Sequence, residues 1–268
     1  MKQTIKYLCF LCLTFFACEE YREWELETLD ENFLVVEAIL TDENIQQEIK
    51  LSQTFADINR EVPPVSDAEL LVEVNGVQYS FSHDNNQPGR YLSDRPFEVV
   101  NNLIYTLEIF WKGERYAAQS ELSNVSPIPE FGFEENGDTD SLVFSRFIHV
   151  FNPNQQAMYE MDIDWSHLSN EANTRAIQYF YTFNSVHIGQ LVFPPREKVR
   201  FPRGSIVEVK KFGLNDDFAE FLRAMALETE WSGVVYYATA DNVQGNISNG
   251  ALGFFSTCAV LRDTLIAE

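Results

Sequence analysis

Four histidines, four cysteines and 41 acidic residues are what this 268-residue chain offers to chemistry. His83, His149, His167 and His187 lie far apart, with no pair at i,i+4 and no HExxH, so the helical zinc-hydrolase pattern is missing. No GxSxG, P-loop or GxGxxG is present either. Paired carboxylates can flank a sugar as in glycosidases, but among 41 acids any one pair has little diagnostic weight. Asp138 and Asp140 follow Gly137 like the start of a calcium loop. The further oxygen ligands and the terminal Glu of such a loop are absent, so an acidic connection is the expectation there. The residue types therefore predict a protein that is not an enzyme and carries neither metal nor other cofactor.

One cysteine does have a chemical context. Lys2 and Lys6 precede an apolar run of 11 residues, Tyr7 to Ala17, and Cys18 follows directly. A basic start, a short apolar middle and a small residue before the cut make an export signal of residues 1–17. As a helix the run would reach roughly 16 Å, about half of a bilayer's hydrocarbon core, so it cannot serve as a permanent span. Ala17-Cys18 looks like a lipobox, where bacterial lipoproteins are cut and the new N-terminal cysteine receives acyl chains, palmitate among them. Two or more chains hold stably, since each buried methylene contributes about 0.8 kcal/mol. Cys18 is read as the lipidation site, and those acyl chains are the only covalent group expected. Glu19 and Glu20 then resemble the acidic signal that sends Bacteroidota lipoproteins to the cell surface. Residues 18–32 are acidic and aperiodic, as a tether would be.

Charge narrows the partners. The chain has 19 basic and 41 acidic residues, net −22. Without Lys2 and Lys6 the balance is 17 against 41, or −24. Such a field repels phosphate backbones and anionic headgroups, which excludes nucleic acid as a ligand. With 45% hydrophobic and 14% aromatic residues the chain still has ample material for a core. Cys9 and Cys12 leave with the signal and Cys18 is acylated, so only Cys258 remains and no internal disulfide can form. Within "GFFSTCAVL", Cys258 is expected to be a buried, inert thiol.

The rest reads as strands. "NFLVVEAILTD", "QEIKLSQTF", "AELLVEV" and "VQYSFS" are short apolar or alternating runs, the last two joined by Asn75-Gly76, the strongest short hairpin signal. Leu103, Tyr105, Leu107, Ile109 and Trp111 alternate strictly before Lys112-Gly113 turns the chain back. About seven strands over residues 33–126 predict an immunoglobulin-like β-sandwich. Pro127, Pro129 and a cluster of turn residues place a boundary near residue 126. Residues 127–268 predict a second β-sandwich-like domain, giving an all-β, mainly antiparallel protein. There Tyr159, Met161, Ile163 and Trp165 alternate with Glu160, Asp162 and Asp164, a half-buried strand with an acidic solvent side. Leu214, Phe218, Phe221, Leu222 and Met225 recur at helical spacing instead. With Asn215 or Asp216 as cap they predict one amphipathic helix near 215–229, laid across the second sandwich.

"NVQGNISNGALGFFST" is the most distinctive stretch. Taken with "FLVVEAILTD" behind a lipidated cysteine, "GRY", "YTLEIFWKGERYAAQS" and "PIPE", in that order, it resembles a Bacteroidota lipoprotein family, domain of unknown function 4249. The resemblance covers essentially the whole mature chain. It implies an outer-membrane lipoprotein encoded beside TonB-dependent receptors, without enzymatic activity, and hence an outer-membrane β-barrel as partner. The residues themselves say less. Asn242, Gly245, Asn246, Asn249 and Gly250 favour turns and left-handed backbone, in a loop either fixed against its own domain or meeting a partner barrel. The leading expectation is a lipid-anchored surface accessory subunit of such a barrel. The alternative is a free-standing glycan- or protein-binding adhesin.

Overall fold

In the computed structural model, residues 32–55, 61–130, 132–135, 137, 141–145, 151–169, 173–185, 199–229 and 243–268 are described. Residues 32–268 form one compact unit. Its first seven strands are β1 (Leu34–Thr41), β2 (Glu48–Gln53), β3 (Glu69–Val74), β4 (Val77–His83), β5 (Arg90–Ser93), β6 (Ile104–Trp111) and β7 (Glu114–Glu121). Asn75 and Gly76 take φ of 49° and 76°, and Lys112 and Gly113 take 49° and 80°. These are the left-handed pairs that let a two-residue turn match strand twist. Alternation does the rest: Tyr105, Leu107, Ile109 and Trp111 all point into one core with Val36, Leu40, Ile49 and Val72.

An eighth strand arrives from far down the chain. Leu252–Cys258 lies parallel to β1, with Val35 opposite Leu252 and Thr41 opposite Cys258. Here it is β14, and the sheet order is β14-β1-β2-β5-β4-β3-β6-β7. The two outer strands of that order meet: Ser123 bridges Cys258, and the Ser120 and Thr257 hydroxyls lie 3.1 Å apart. The sheet thus rolls into a closed sandwich with neither edge free. The division expected at residue 126 is therefore crossed, because a strand after the boundary completes the sheet before it.

The second sandwich packs two smaller sheets. Residues Phe133–Glu135 (β8), Ser141–Phe144 (β9) and Phe201–Pro202 (β12) form one, in the order β12-β9-β8. Ala157–Asp164 (β10), Arg175–Thr182 (β11), Ile206–Gly213 (β13) and Val260–Ile266 (β15) form the other, in the order β11-β10-β13-β15. Tyr159, Met161, Ile163, Val207 and Val209 face Leu142, Phe144 and Phe201 across this core. On the outer side the acids are paired rather than merely solvated. Asp162 is buried against Arg175, and Glu160 accepts from Lys210 at 2.7 Å.

Helix α1 (Asp216–Thr229) begins as expected, with Asn215 Oδ1 accepting from the Phe218 amide at 2.9 Å. Its position differs from the expectation. Phe218 stacks on Phe254 of β14 at 4.9 Å and Phe221 meets the same ring at a tilt, at 5.0 Å, beside Met158, Phe212 and Phe183. The helix covers the seam between the two sandwiches because its apolar stripe finds apolar partners on both, including Ile39 of β1.

Candidate functional site

The stretch before β14 is built into the seam. Residues 243–248 run back along β14, between it and β7. Asn246 Oδ1 accepts from the Phe255 amide at 2.9 Å, and its Nδ2 donates to the Phe255 and Gln119 carbonyls at 2.8 and 3.3 Å. Ile247 enters the first core, while Ser248 and Ala117 exchange bonds through N–H to O=C (2.9 Å) and N–H to Oγ (2.8 Å). Two glycines permit this closeness. A Cβ on Gly245 would lie 2.0 Å from the Gly253 oxygen, and one on Gly253 (φ +91°) would lie 2.0 Å from the Val36 oxygen. Only backbone without a side chain fits there.

Beyond Ser248 the loop turns outward. Asn249 and Gly250 have φ of 59° and 72° and are exposed, and a Cβ on Gly250 would meet nothing within 4 Å. Asn249 Nδ2 donates to Glu114 at 3.0 Å. The structure therefore brings Gly245, Asn246, Asn249 and Gly250 into one loop with a fixed stem and an open tip. Asn242 lies outside the described residues, as do Cys18, Glu19, Glu20, Asp138, Asp140, His149 and His187.

Elsewhere the polar groups mostly serve the fold. A cleft of about 210 Å³ beside the start of α1 is lined by amides, including Asn124, Gln155, Gln156 and Asn184. Gln156 donates to Asp216 at 2.8 Å and Gln155 accepts from the Ser126 amide at 3.0 Å, so their own chain engages them. An open groove of about 430 Å³ runs past Ser82, His83, Asp84 and Asp94. The Asn86 amide, aided by Arg90, holds the Asp84 carboxyl below its usual range. His83 turns its Nε2 to the Gly89 amide at 3.3 Å, and His167 contacts the Gly204 carbonyl at 3.0 Å. No three His, Cys, Asp or Glu side chains converge as a metal would need, among the described residues. No described helix is long and apolar enough to cross a membrane.

Two further groups are buried, the first of them as its apolar run predicts. Cys258 is fully buried in the seam, and burial pushes its thiol up to about 12, so it is inert in the folded chain. Lys211 gave no signal at all. It is 3% exposed, and its ammonium donates to the Ser126 and Pro127 carbonyls (both 3.0 Å), to Ser126 Oγ (2.9 Å) and to Gln155 Oε1 (3.3 Å). Burial lowers its pKa, and it fastens the connection between sandwiches with a cation whose hydrogen-bond partners are neutral oxygens.

These elements define an all-β protein of two sandwiches, the first closed by a strand and a glycine-asparagine loop from beyond the second. The chain belongs to the family described as Domain of unknown function (DUF4249), whose model matches residues 19–264. No curated protein matches it. Among solved structures, the chicken CNTN1 FN1-FN3 domains are similar at 10% identity and a TM-score of 0.22. That likeness covers 67% of this chain and 60% of that one.

Proposed function

We propose that the protein is a non-catalytic lipoprotein of the outer membrane, anchored by acyl chains on Cys18 and facing the cell exterior. There it acts as an accessory subunit of an outer-membrane β-barrel, a TonB-dependent transporter by preference. The observation that carries the reading is Cys18 itself: a basic, 11-residue apolar leader ends at Ala17-Cys18, and Glu19 and Glu20 follow at once. Two further features support it. The fold spends its distinctive glycines and asparagines on holding a loop rather than on a reaction centre, and net charge −22 disfavours nucleic acid and anionic lipid as ligands.

Two experiments test the two halves. Cys18→Ala is expected to abolish acylation and release the protein from the membrane fraction; persistence there as firm as the parent's sinks the anchor. Purification of the tagged parent in mild detergent, with mass spectrometry of its companions, is expected to give a stoichiometric TonB-dependent barrel. A different barrel keeps the accessory role and changes its context. Recovery of the protein alone favours a free-standing adhesin.

A further inference from the structure

We propose that the pairing of β1 with β14 is a mechanical clamp, and that the protein bears tension along the line from the chain entering β1 to the far end of β15. The proposal goes beyond the function proposed above. The clamp belongs to the strands themselves, and the anchor on Cys18 supplies one of the pulls.

Topology sets the geometry of loading. β1 and β14 run parallel through seven register pairs, from Val35–Leu252 to Thr41–Cys258. A pull on the chain ahead of β1 and an opposite pull beyond β14 therefore slide the two strands along each other. All seven pairs then carry the load together, whereas strands parted from one end give way a pair at a time. Only Ala259 separates β14 from β15. Tension applied at the end of β15 thus reaches β14 through covalent bonds, and β14 has one neighbour in its sheet, β1. By the shortest route from residue 34 to residue 266, tension leaves the covalent chain once, at this pairing.

Strand direction is the telling choice. Every other ladder among the described residues is antiparallel. An antiparallel strand in the place of β14 would close the sheet as well, and parallel pairing is slightly less stable per residue. It would, however, leave the sheet beside the start of β1, where opposite pulls peel the pair apart. What the parallel direction adds is resistance to sliding.

Contacts past the ladder reinforce it. Asp42 Oδ1 accepts from the Val260 amide at 2.9 Å, and the Glu43 carboxylate takes Arg262 Nε and Nη2 at 2.6 and 2.8 Å. The run after β1 is thereby fastened to the start of β15, at the end where the pull from β15 arrives, by a two-pronged charged pair of the stronger kind. The flanks of β14 are sealed as well. Asn246 occupies both the N–H and the C=O of Phe255, Phe218 of α1 lies on Phe254, and Phe255, Ser256, Thr257 and Cys258 are fully buried. Water is kept from this part of the strand, so a bond that opens under load finds no replacement partner.

The test is single-molecule pulling of the full protein, purified in detergent, through azide-bearing residues that carry DNA handles. Handles at Asn32 and Glu268 load β1 and β14 in shear, and handles at Asn32 and Asn249 part the same two strands from one end. Protection of Cys258 from thiol reagent certifies the fold of each labelled protein. The expected result is a rupture force at least about twofold higher in shear, since forced unfolding follows the unfolding barrier along the loaded direction. The first rupture in shear should lengthen the molecule by about 300 Å, the contour of the first sandwich over residues 34–121. Arg262→Ala should lower the shear force and leave the peeling force unchanged, because peeling from Asn249 reaches Glu43 last. Equal forces in the two geometries overturn the clamp. So does a first event that opens the second sandwich while the first stays folded, or an Arg262→Ala protein whose two forces fall alike. None of these readings depends on acylation of Cys18, so failure of the anchor and failure of the clamp are separate results.

Discussion

The two sandwiches are held together by different means. The first is closed by backbone: a parallel strand, a hairpin-like stem and two glycines that let main chains touch. The second is tied by side-chain charge, with Arg175 on Asp162, Lys210 on Glu160, Arg262 on Glu208 and buried Lys211 on the connection. The first device tolerates almost no added atom, whereas the second tolerates exchange of groups that keep their partners. Damage to the first should be abrupt, and damage to the second graded.

Substitutions can break that contrast or sharpen it. Gly253→Val should do most harm, because the new Cβ meets the Val36 oxygen and φ of +91° suits only glycine. A loss of more than about 4 kcal/mol is expected, read by denaturant unfolding and by labelling of Cys258 in the absence of denaturant. A mild loss would mean that β14 is not what closes the sheet. Phe254→Ala should cost about 3–5 kcal/mol through the cavity left under Phe218 and Phe221. If α1 instead depended on the second sandwich alone, the loss would be far smaller.

Lys211→Met sets relieved desolvation against lost hydrogen bonds, so stability at pH 7 should move by no more than about 1 kcal/mol. Its signature is elsewhere. The folded pKa of Lys211 lies below the unfolded value, so as pH rises toward about 10.5 the unfolded state holds the extra proton. Parent stability relative to the Met variant should then increase with pH across that window and be lost on returning below the folded pKa. Parallel unfolding curves for the two proteins over this range would mean that the lysine is solvated. Proteolysis near residues 124–130 should also quicken in the variant. Arg262→Ala should cost least, about 0.5–1 kcal/mol, since its pairs with Glu43 and Glu208 are partly exposed.

The same contrast decides what was legible in the sequence. Alternation from Leu103 to Trp111 and the Asn75-Gly76 pair announce strands and hairpins, because periodicity reports which face is buried. Helix α1 is equally plain from its spacing and its cap. Periodicity does not name a partner, however. Nothing in "GALGFFSTC" says that it pairs with residues 34–41, and Gly253 looks like any other glycine until Val36 lies beneath it. Lys211 sits in "VEVKKFG" as one of two lysines in a strand, and only the fold turns one outward to Glu160 and the other inward to Ser126. For the loop, residue types suggested turns at Gly245, Asn246, Asn249 and Gly250. The division into stem and tip came from contacts with Phe255, Ala117 and Glu114, which lie outside the loop itself.

The long-range closure also has a meaning in time. The Asp42–Val260 contact spans 218 positions, so the strands made first stay unpaired along one side until nearly everything between has left the ribosome. Pairings of such separation form slowly, since the intervening chain must be gathered before they reward it. The sheet nearest the N-terminus is therefore completed only when the far segment arrives, so the first strands made are among the last to be fully paired.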